Sequence, residues 1–344
     1  MNTQAQSLLS VRDLKVHFMM DEGVVKAVDG VTFDVSSGQV FGIVGESGCG
    51  KSVTMKAVLR IVEPPGKVVA GEILLRRAKP NGAGGEVVDL VKLDANGKEM
   101  RAIRGAEIAL IPQEPMASFS PVHTVGDQII EAIMLHQPVN KREARKIALQ
   151  MFKDVGIPIP EQRLDEYSWR LSGGLRQRAI IAMALSCNPH LLIADEPTTA
   201  VDVTTQAQVL RLLRQLQEER NAAIIFITHD LGVIAQMADH VMVMYLGLVM
   251  EQGAVDDIFH APKHPYTQAL LRSIPSLEST PRVELPTISG SIPHPFNKPK
   301  GCPFHPRCEK SMPGKCDAHK PALEPVGETK WVSCFLYHDS EVAA

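Results

Sequence analysis

No stretch of this 344-residue chain is long and apolar enough to cross a bilayer, which takes about 20 consecutive residues. The longest apolar runs are only Ala222 to Ile227 and Val241 to Met250. A basic excess is missing too. With a net charge of −3 and a pI near 6.5, the chain lacks the electrostatic footprint of a nucleic-acid-binding protein. Met1 to Ser10 lacks the basic start and apolar core of a secretory signal, so the cytosol is the expected compartment. Its six cysteines are not expected to form structural disulfides there. Hydrophobic residues at 44% and charged ones at 22% leave an ordinary globular composition, long enough for one large or two moderate domains.

What is present concentrates in Gly45-Glu46-Ser47-Gly48-Cys49-Gly50-Lys51-Ser52, set between the apolar run Val40 to Val44 and a helix-compatible run from Val53 to Leu59. This is a phosphate cradle. Its glycines let successive backbone N–H groups face an anion, the helix start adds a partial positive charge, Lys51 adds a full one, and Ser52 offers a hydroxyl to Mg²⁺. Ordinary residue usage yields the pattern in about one chain in a hundred of this length.

Leu8 to Phe18 and Val31 to Val35 read as strands, with turns at Asp29-Gly30 and Ser36-Ser37-Gly38. Phe18, just ahead of the turn-like Asp21-Glu22-Gly23, suits stacking on a flat base or a place in a strand core equally well. Gly71 to Leu93 reads as a hairpin with its tip at Asn81 to Gly85. Ile108 to Ile111 is a further strand, and Gln113 past its end suits a metal or water ligand as readily as a solvated loop. Helical spacing over Thr124 to Met134 and Lys141 to Val155 makes Gln113 to about Trp169 a mostly helical insertion, its Met and Leu stripe belonging to the core.

Leu171-Ser172-Gly173-Gly174-Leu175 opens another helix, running to Leu185, as a second anion contact or simply a capped helix start. Leu191 to Ala194 is a buried strand that delivers Asp195 and Glu196 to the carboxyl edge of a sheet, where doubly wound folds bind ligand. Asp195 suits Mg²⁺ and Glu196 a water-activating base, although two solvated turn acids would read the same. Val203 to Arg220 is an amphipathic helix, followed by the buried strand Ala223 to Ile227 and then His229, placed to reach a phosphate oxygen or to serve structurally.

From Ala261 to Pro325 lie 13 of the 24 prolines, which predicts a loop-rich extension without long helices. Cys302-x5-Cys308-x7-Cys316-x17-Cys334 supplies four thiolates there, a set that more often binds metal than pairs into disulfides in the cytosol. The paired C-x2-C knuckles of most structural zinc sites are absent, and four thiolates can hold a [4Fe–4S] cluster as well as Zn²⁺.

The cradle, Gln113, Leu171 to Gly174, Leu192 to Glu196, Asp202 and His229 occur in an order that resembles the ATP-binding subunits of ABC transporters, over residues 8 to about 275. Gln113-Glu114-Pro115-Met116, His264 to Leu271 and the cysteine tail resemble the oligopeptide and dipeptide importer group within that family. The resemblance implies an α/β P-loop ABC ATPase domain over 1–260, with a mixed-sheet core, an antiparallel β subdomain and a helical subdomain at about 114–170. A C-terminal extension over 261–344 follows. It implies that Phe18 stacks on adenine and that Gly45, Glu46, Ser47, Gly48, Cys49, Gly50, Lys51, Ser52 and Val53 bind ATP. Ser52, Gln113 and Asp195 would serve Mg²⁺, Glu196 would be the general base, Gln113 would sense the attacking water, and His229 would contact the γ-phosphate. Ser172, Gly173 and Gly174 would close over ATP on the opposite subunit, with Asp202 crossing the same interface.

Two departures stand out: Leu175 where Gln is usual, and Ala200-Val201-Asp202 where Ala-Leu-Asp is commoner. Neither touches a phosphate-facing residue. The implied partners are a second ABC ATPase, by resemblance a paralogue, two membrane permeases and indirectly an extracytoplasmic solute-binding protein, with no nucleic acid. The implied place is peripheral, on the cytoplasmic face of the inner membrane. ATP-driven uptake of di- and oligopeptides follows, with oligosaccharide import, a soluble non-transport ABC ATPase and a nonhydrolytic sensor as alternatives. The importer resemblance also implies the [4Fe–4S] cluster rather than zinc for the cysteines.

Overall fold

The structure is a computed structural model, and it describes residues 7–78, 85–114, 118–198, 202–274 and 288–340. Of the expected hairpin tip from Asn81 to Gly85, all but Gly85 lies outside the described residues, as do Pro115-Met116 and Ala200-Val201. Strands follow the chain as β1 (Ser7–Met20), β2 (Gly23–Ser36), β3 (Val40–Val44), β4 (Gly66–Ala78), β5 (Gly85–Asp89) and β6 (Ile108–Ile111). They continue as β7 (Leu191–Asp195), β8 (Ala223–Ile227), β9 (His240–Tyr245), β10 (Leu248–Ala254), β11 (Glu324–Pro325) and β12 (Trp331–Val332). No helix among the described residues is long and apolar enough to cross a membrane.

The chain forms two compact units. One comprises Met1–Leu8, Val35–Gln39 and Lys92–Ile227, and the other Leu9–Asp34, Val40–Val91 and Thr228–Ala344. In the first, β6, β7 and β8 pair in parallel, with Ile111 opposite Ala194 and Asp195 opposite Ile227. All five residues of β7 and of β8 are buried, as their apolar runs Leu191 to Ala194 and Ala223 to Ile227 require when both faces of a parallel strand are covered. The helices Val125–His136, Lys141–Asp154 and Pro160–Leu164 fill the expected helical insertion, burying Ile129, Ile133, Ala144, Ala148 and Phe152. Their starts are fixed locally. Thr124 accepts from the Asp127 amide, and Asn140 with Glu143 forms a reciprocal capping box.

In the second unit β2, β1, β4 and β5 lie side by side, β4 antiparallel to both β1 and β5. The turn expected at Asp29-Gly30 does not end the strand: β2 runs on through it, with Gly30 taking a φ of +100° that a glycine accepts without strain. The same unit pairs β3 in parallel with β9, and extends outward through β10 and β12 to β11. As the prolines foretold, the described residues beyond 288 hold only single turns, such as Pro295–Asn297 and His305–Arg307, and two-residue strands.

Long-range polar contacts hold that tail down. The Lys330 ammonium donates to the carbonyl oxygens of Asp257 and Ala261, each at 2.7 Å. Beside it the buried Glu251 carboxylate accepts from the amides of Lys263 and His264 at 2.7 and 2.9 Å. Burial raises the Glu251 pKa, while those amides work to lower it.

Candidate functional site

Parallel pairing of β3 with β9, from Phe41 opposite His240 to Val44 opposite Val243, aims the end of β3 at the phosphate loop and the helix Lys51–Val58. The loop has little freedom. At Gly45, with φ +152°, a Cβ would lie 2.2 Å from the Met244 carbonyl oxygen and 2.7 Å from the Cys49 sulfur. Gly50, with φ +104°, caps the helix where a Cβ would meet the Ala27 carbonyl at 2.4 Å. Lys51 is buried and its ammonium donates to the carbonyls of Gly45 and Glu46 at 2.8 and 3.1 Å, inside the curve of the loop. Burial pushes the Cys49 thiol upward, so it packs as a neutral group beneath the loop.

Phe18 is half-buried and shares one cavity wall with Ser52, Val53, Lys56 and Val62. Ser47 and Gly48 are exposed at the loop's crest. His229 is exposed two residues past the end of β8, ahead of Asp230, which caps the helix Leu231–Met237 by accepting from the amides of Gly232 and Val233.

In the other unit the matched register of β6 and β7 sets Gln113 and Glu196 just beyond the carboxyl ends of adjacent strands. The Gln113 amide therefore reaches the Glu196 carboxylate at 3.1 Å. Glu196 has φ +48°, a left-handed conformation that costs a non-glycine residue about 1–3 kcal/mol and clusters at functional sites. Its own amide donates to the Ile227 carbonyl at 2.9 Å, which fixes the turn. Asp195, the last residue of β7, is buried.

Ser172 caps the helix Gly173–Leu185 by accepting from the Leu175 amide at 3.3 Å, leaving Ser172 and Gly173 exposed. Behind it Arg176 donates to the carbonyls of Ser168 and Leu171, pinning the approach. Gly174 faces Thr205, whose Cγ2 would lie 3.1 Å from an added Cβ. Asp202 caps the helix Val203–Arg220, accepting the Thr205 amide at 2.9 Å and its hydroxyl at 2.7 Å, and the hydroxyl bond holds its pKa below the usual carboxylate range. The site residues thus divide. Phe18, the loop and His229 belong to one unit, whereas Gln113, Asp195, Glu196, Ser172 to Gly174 and Asp202 belong to the other.

Cys302, Cys308, Cys316 and Cys334 line a single cavity with His264, Phe304, His305 and Met312. Burial pushes the Cys302 thiol up to about 12 and the Cys334 thiol up to about 11, so both are protonated at neutral pH unless a cation compensates. Among the described residues no group of three or more His, Cys, Asp or Glu side chains is placed to hold a metal ion. The metal centre expected from spacing is corrected accordingly. The donor set for Zn²⁺ or a [4Fe–4S] cluster is gathered round one cavity, but its sulfurs do not converge as zinc, with Zn–S bonds of about 2.3 Å, would require.

Sequence reasoning missed how the loop is braced. The Glu46 amide donates to the Tyr266 hydroxyl at 3.0 Å, and its carboxylate accepts from Arg307 at 2.8 and 3.1 Å. No periodicity or motif signals a contact across 261 positions.

The profile of the ABC transporter family matches residues 28–199, and that of the oligopeptide/dipeptide transporter C-terminal region matches 250–316. A probable peptide ABC transporter ATP-binding protein of Sinorhizobium fredii, y4tR, is 46% identical over 335 residues, covering 97% of this chain and 96% of that protein. The dipeptide transport ATP-binding protein DppD of Bacillus subtilis is 47% identical over 332 residues, covering 96% and 95%. Among solved structures, the dimeric form of the bacterial ABC transporter cassette MJ0796 aligns with a TM-score of 0.61 at 25% identity, over 72% of this chain and 98% of that one. The same cassette has also been solved in a post-hydrolysis state bound to ADP and Pi, with the same TM-score. A phosphate loop, a Gln–Glu pair at adjacent strand ends and relatives matched nearly end to end place this chain in the ABC transporter family, as an ATP-binding subunit.

Proposed function

We propose that this chain is the ATP-hydrolysing subunit of a di- or oligopeptide importer. The observation that carries the chemistry is the Gln113–Glu196 contact at 3.1 Å, with the carboxylate on a left-handed turn. Glu196 acts as general base toward the attacking water, and Gln113 orients that water. Lys51 and the loop amides from Gly45 to Val53 bind the phosphates, Phe18 stacks on the base, and His229 contacts the γ-phosphate. Ser52 on one unit, and Gln113 and Asp195 on the other, carry oxygen donors of the kind that would hold Mg²⁺, which would neutralise charge on the phosphates. Ser172, Gly173, Gly174 and Asp202 act on nucleotide bound to a second ATPase subunit, so that ATP binding closes a dimer and hydrolysis opens it.

We divide the chain into an ATPase domain over 1–260 and an extension over 261–344; the ABC transporter match ends at 199, and the C-terminal-region match begins at 250, slightly ahead of that boundary. We assign docking against membrane permeases to the helical insertion, within which Val122 and Leu135 are 72% and 73% exposed, with the chain peripheral on the cytoplasmic face.

The deciding experiment is affinity purification of the full-length chain from membranes, followed by reconstitution of the recovered complex in vesicles. Permeases should co-purify, and ATP hydrolysis should drive uptake of labelled dipeptide but not of oligosaccharide. A verified monomer that hydrolyses ATP at full rate, indifferent to replacement of Ser172, would overturn the shared-site mechanism.

A further inference from the structure

The phosphate loop and the cysteine tail meet at one side chain. Arg307 lies on the turn His305–Arg307, immediately before Cys308. Two nitrogens of its guanidinium fork onto the Glu46 carboxylate at 2.8 and 3.1 Å. The rest of its donors are also engaged: with the Tyr245 hydroxyl at 3.2 Å, the Ser289 carbonyl at 3.1 Å and the Ile288 carbonyl at 3.5 Å. The guanidinium is 5% exposed and the carboxylate 20%, so this is a desolvated, bidentate pair and not a surface one.

Glu46 is gripped from its other atoms as well, its amide by Tyr266 and its carbonyl by Lys51. Tyr266 and Tyr245 pack on Phe304 with ring centroids 5.2 and 5.5 Å away, and Phe304 belongs to the same turn as Arg307. That turn is continuous with the cysteines. The Arg307 amide bonds the Phe304 carbonyl, the His305 amide that of Cys302, the Cys308 amide that of His305, and the Cys302 amide that of Cys316. Moving Cys302 or Cys308 therefore moves the group that braces Glu46.

We propose that Arg307 is a positioning residue for the phosphate loop, and that through it the four-cysteine tail sets the nucleotide affinity of the cassette. The inference rests on the ATP-binding reading and adds a control to it. A braced loop meets the phosphates already in shape, and removing the brace makes binding bear the ordering cost. Linkage makes the coupling reciprocal, so nucleotide binding equally steadies the tail.

The test is the dissociation constant of a non-hydrolysable MgATP analogue for the full-length chain, measured calorimetrically in wild type, R307Q, R307K, E46Q and R307Q/E46Q. R307Q is expected to weaken binding about tenfold. R307K should lose less, since an ammonium keeps the charge without the fork. The double variant should bind no more weakly than R307Q. C308S, which removes a tail thiol and no loop contact, should shift affinity in the same direction. If circular dichroism shows R307Q unfolded, R307K carries the comparison. Wild-type affinity in R307Q, or losses that simply add in the double variant, overturns the positioning role; wild-type affinity in C308S removes the tail from it. A wild-type chain that binds no nucleotide overturns the ATPase reading instead.

Discussion

The phosphate loop and the cysteine tail are both poor in regular structure, yet the loop is closed in part by near neighbours, whereas the tail is anchored to the rest of its unit by distant ones. The loop is shaped by its own glycines and by Lys51 folding back on Gly45 and Glu46, partners five or six positions away. The tail is fixed by partners far along the chain: Arg307 on Glu46, Lys330 on Asp257, and the Tyr337 hydroxyl on the Lys263 carbonyl, 261, 73 and 74 positions apart. Local closure leaves a motif behind it. Distant closure needs the rest of the unit folded first, and leaves only a proline-rich segment to read.

The comparison breaks if motif residues and fold contacts prove interchangeable in effect, and three measurements probe that from large to small. Glu196→Gln should lower steady-state ATP hydrolysis about 10²–10⁴-fold, the usual worth of a general base, while nucleotide affinity and the melting curve hold. An unchanged rate would remove Glu196 from the role.

His240 offers a mid-sized test on the strands beneath the loop. It stacks on Phe41 with ring centroids 5.4 Å apart, and burial lowers its pKa to about 4 from an ordinary 6.5. In the window between those values the unfolded chain binds the proton and the folded one does not. Its contribution is therefore complete above pH 6.5 and is lost as pH falls toward 4. Urea midpoints should drop across that window, and His240→Phe, which keeps the ring, should flatten the drop. A slope identical to wild type would show that His240 is solvated in the folded chain.

The smallest effect belongs to Arg145, which forks onto Asp165 at 2.8 and 2.7 Å with nearly the geometry of Arg307 on Glu46. Here the side chains are 45% and 62% exposed. Arg145→Ala should cost less than about 1 kcal/mol in denaturant unfolding and leave nucleotide affinity untouched. A loss matching that of R307Q would mean that burial is not what distinguishes the two forks.

Much of the fold was legible because it is periodic. Leu191 to Ala194 and Ala223 to Ile227 are buried strands as their unbroken apolar runs require, and the helices Val125–His136 and Lys141–Asp154 fall where the spacing put them. Asp29-Gly30 misled in part, since the strand continues through the pair while Gly30 keeps a glycine-type φ of +100°. The cysteines misled in another way. Spacing announces four thiols but not how far apart their sulfurs stand, and in the fold they share a cavity without converging on one ion.

By itself the sequence determined the phosphate loop, the strand that delivers Asp195 and Glu196, and the capped start at Ser172, because each is a bargain struck among near neighbours in the chain. Only the tertiary structure decided that Gln113 meets Glu196, that four scattered cysteines line one cavity, and that Arg307 holds the loop. Those contacts depend on strand register and on the burial of distant side chains, quantities that no local pattern of residues encodes.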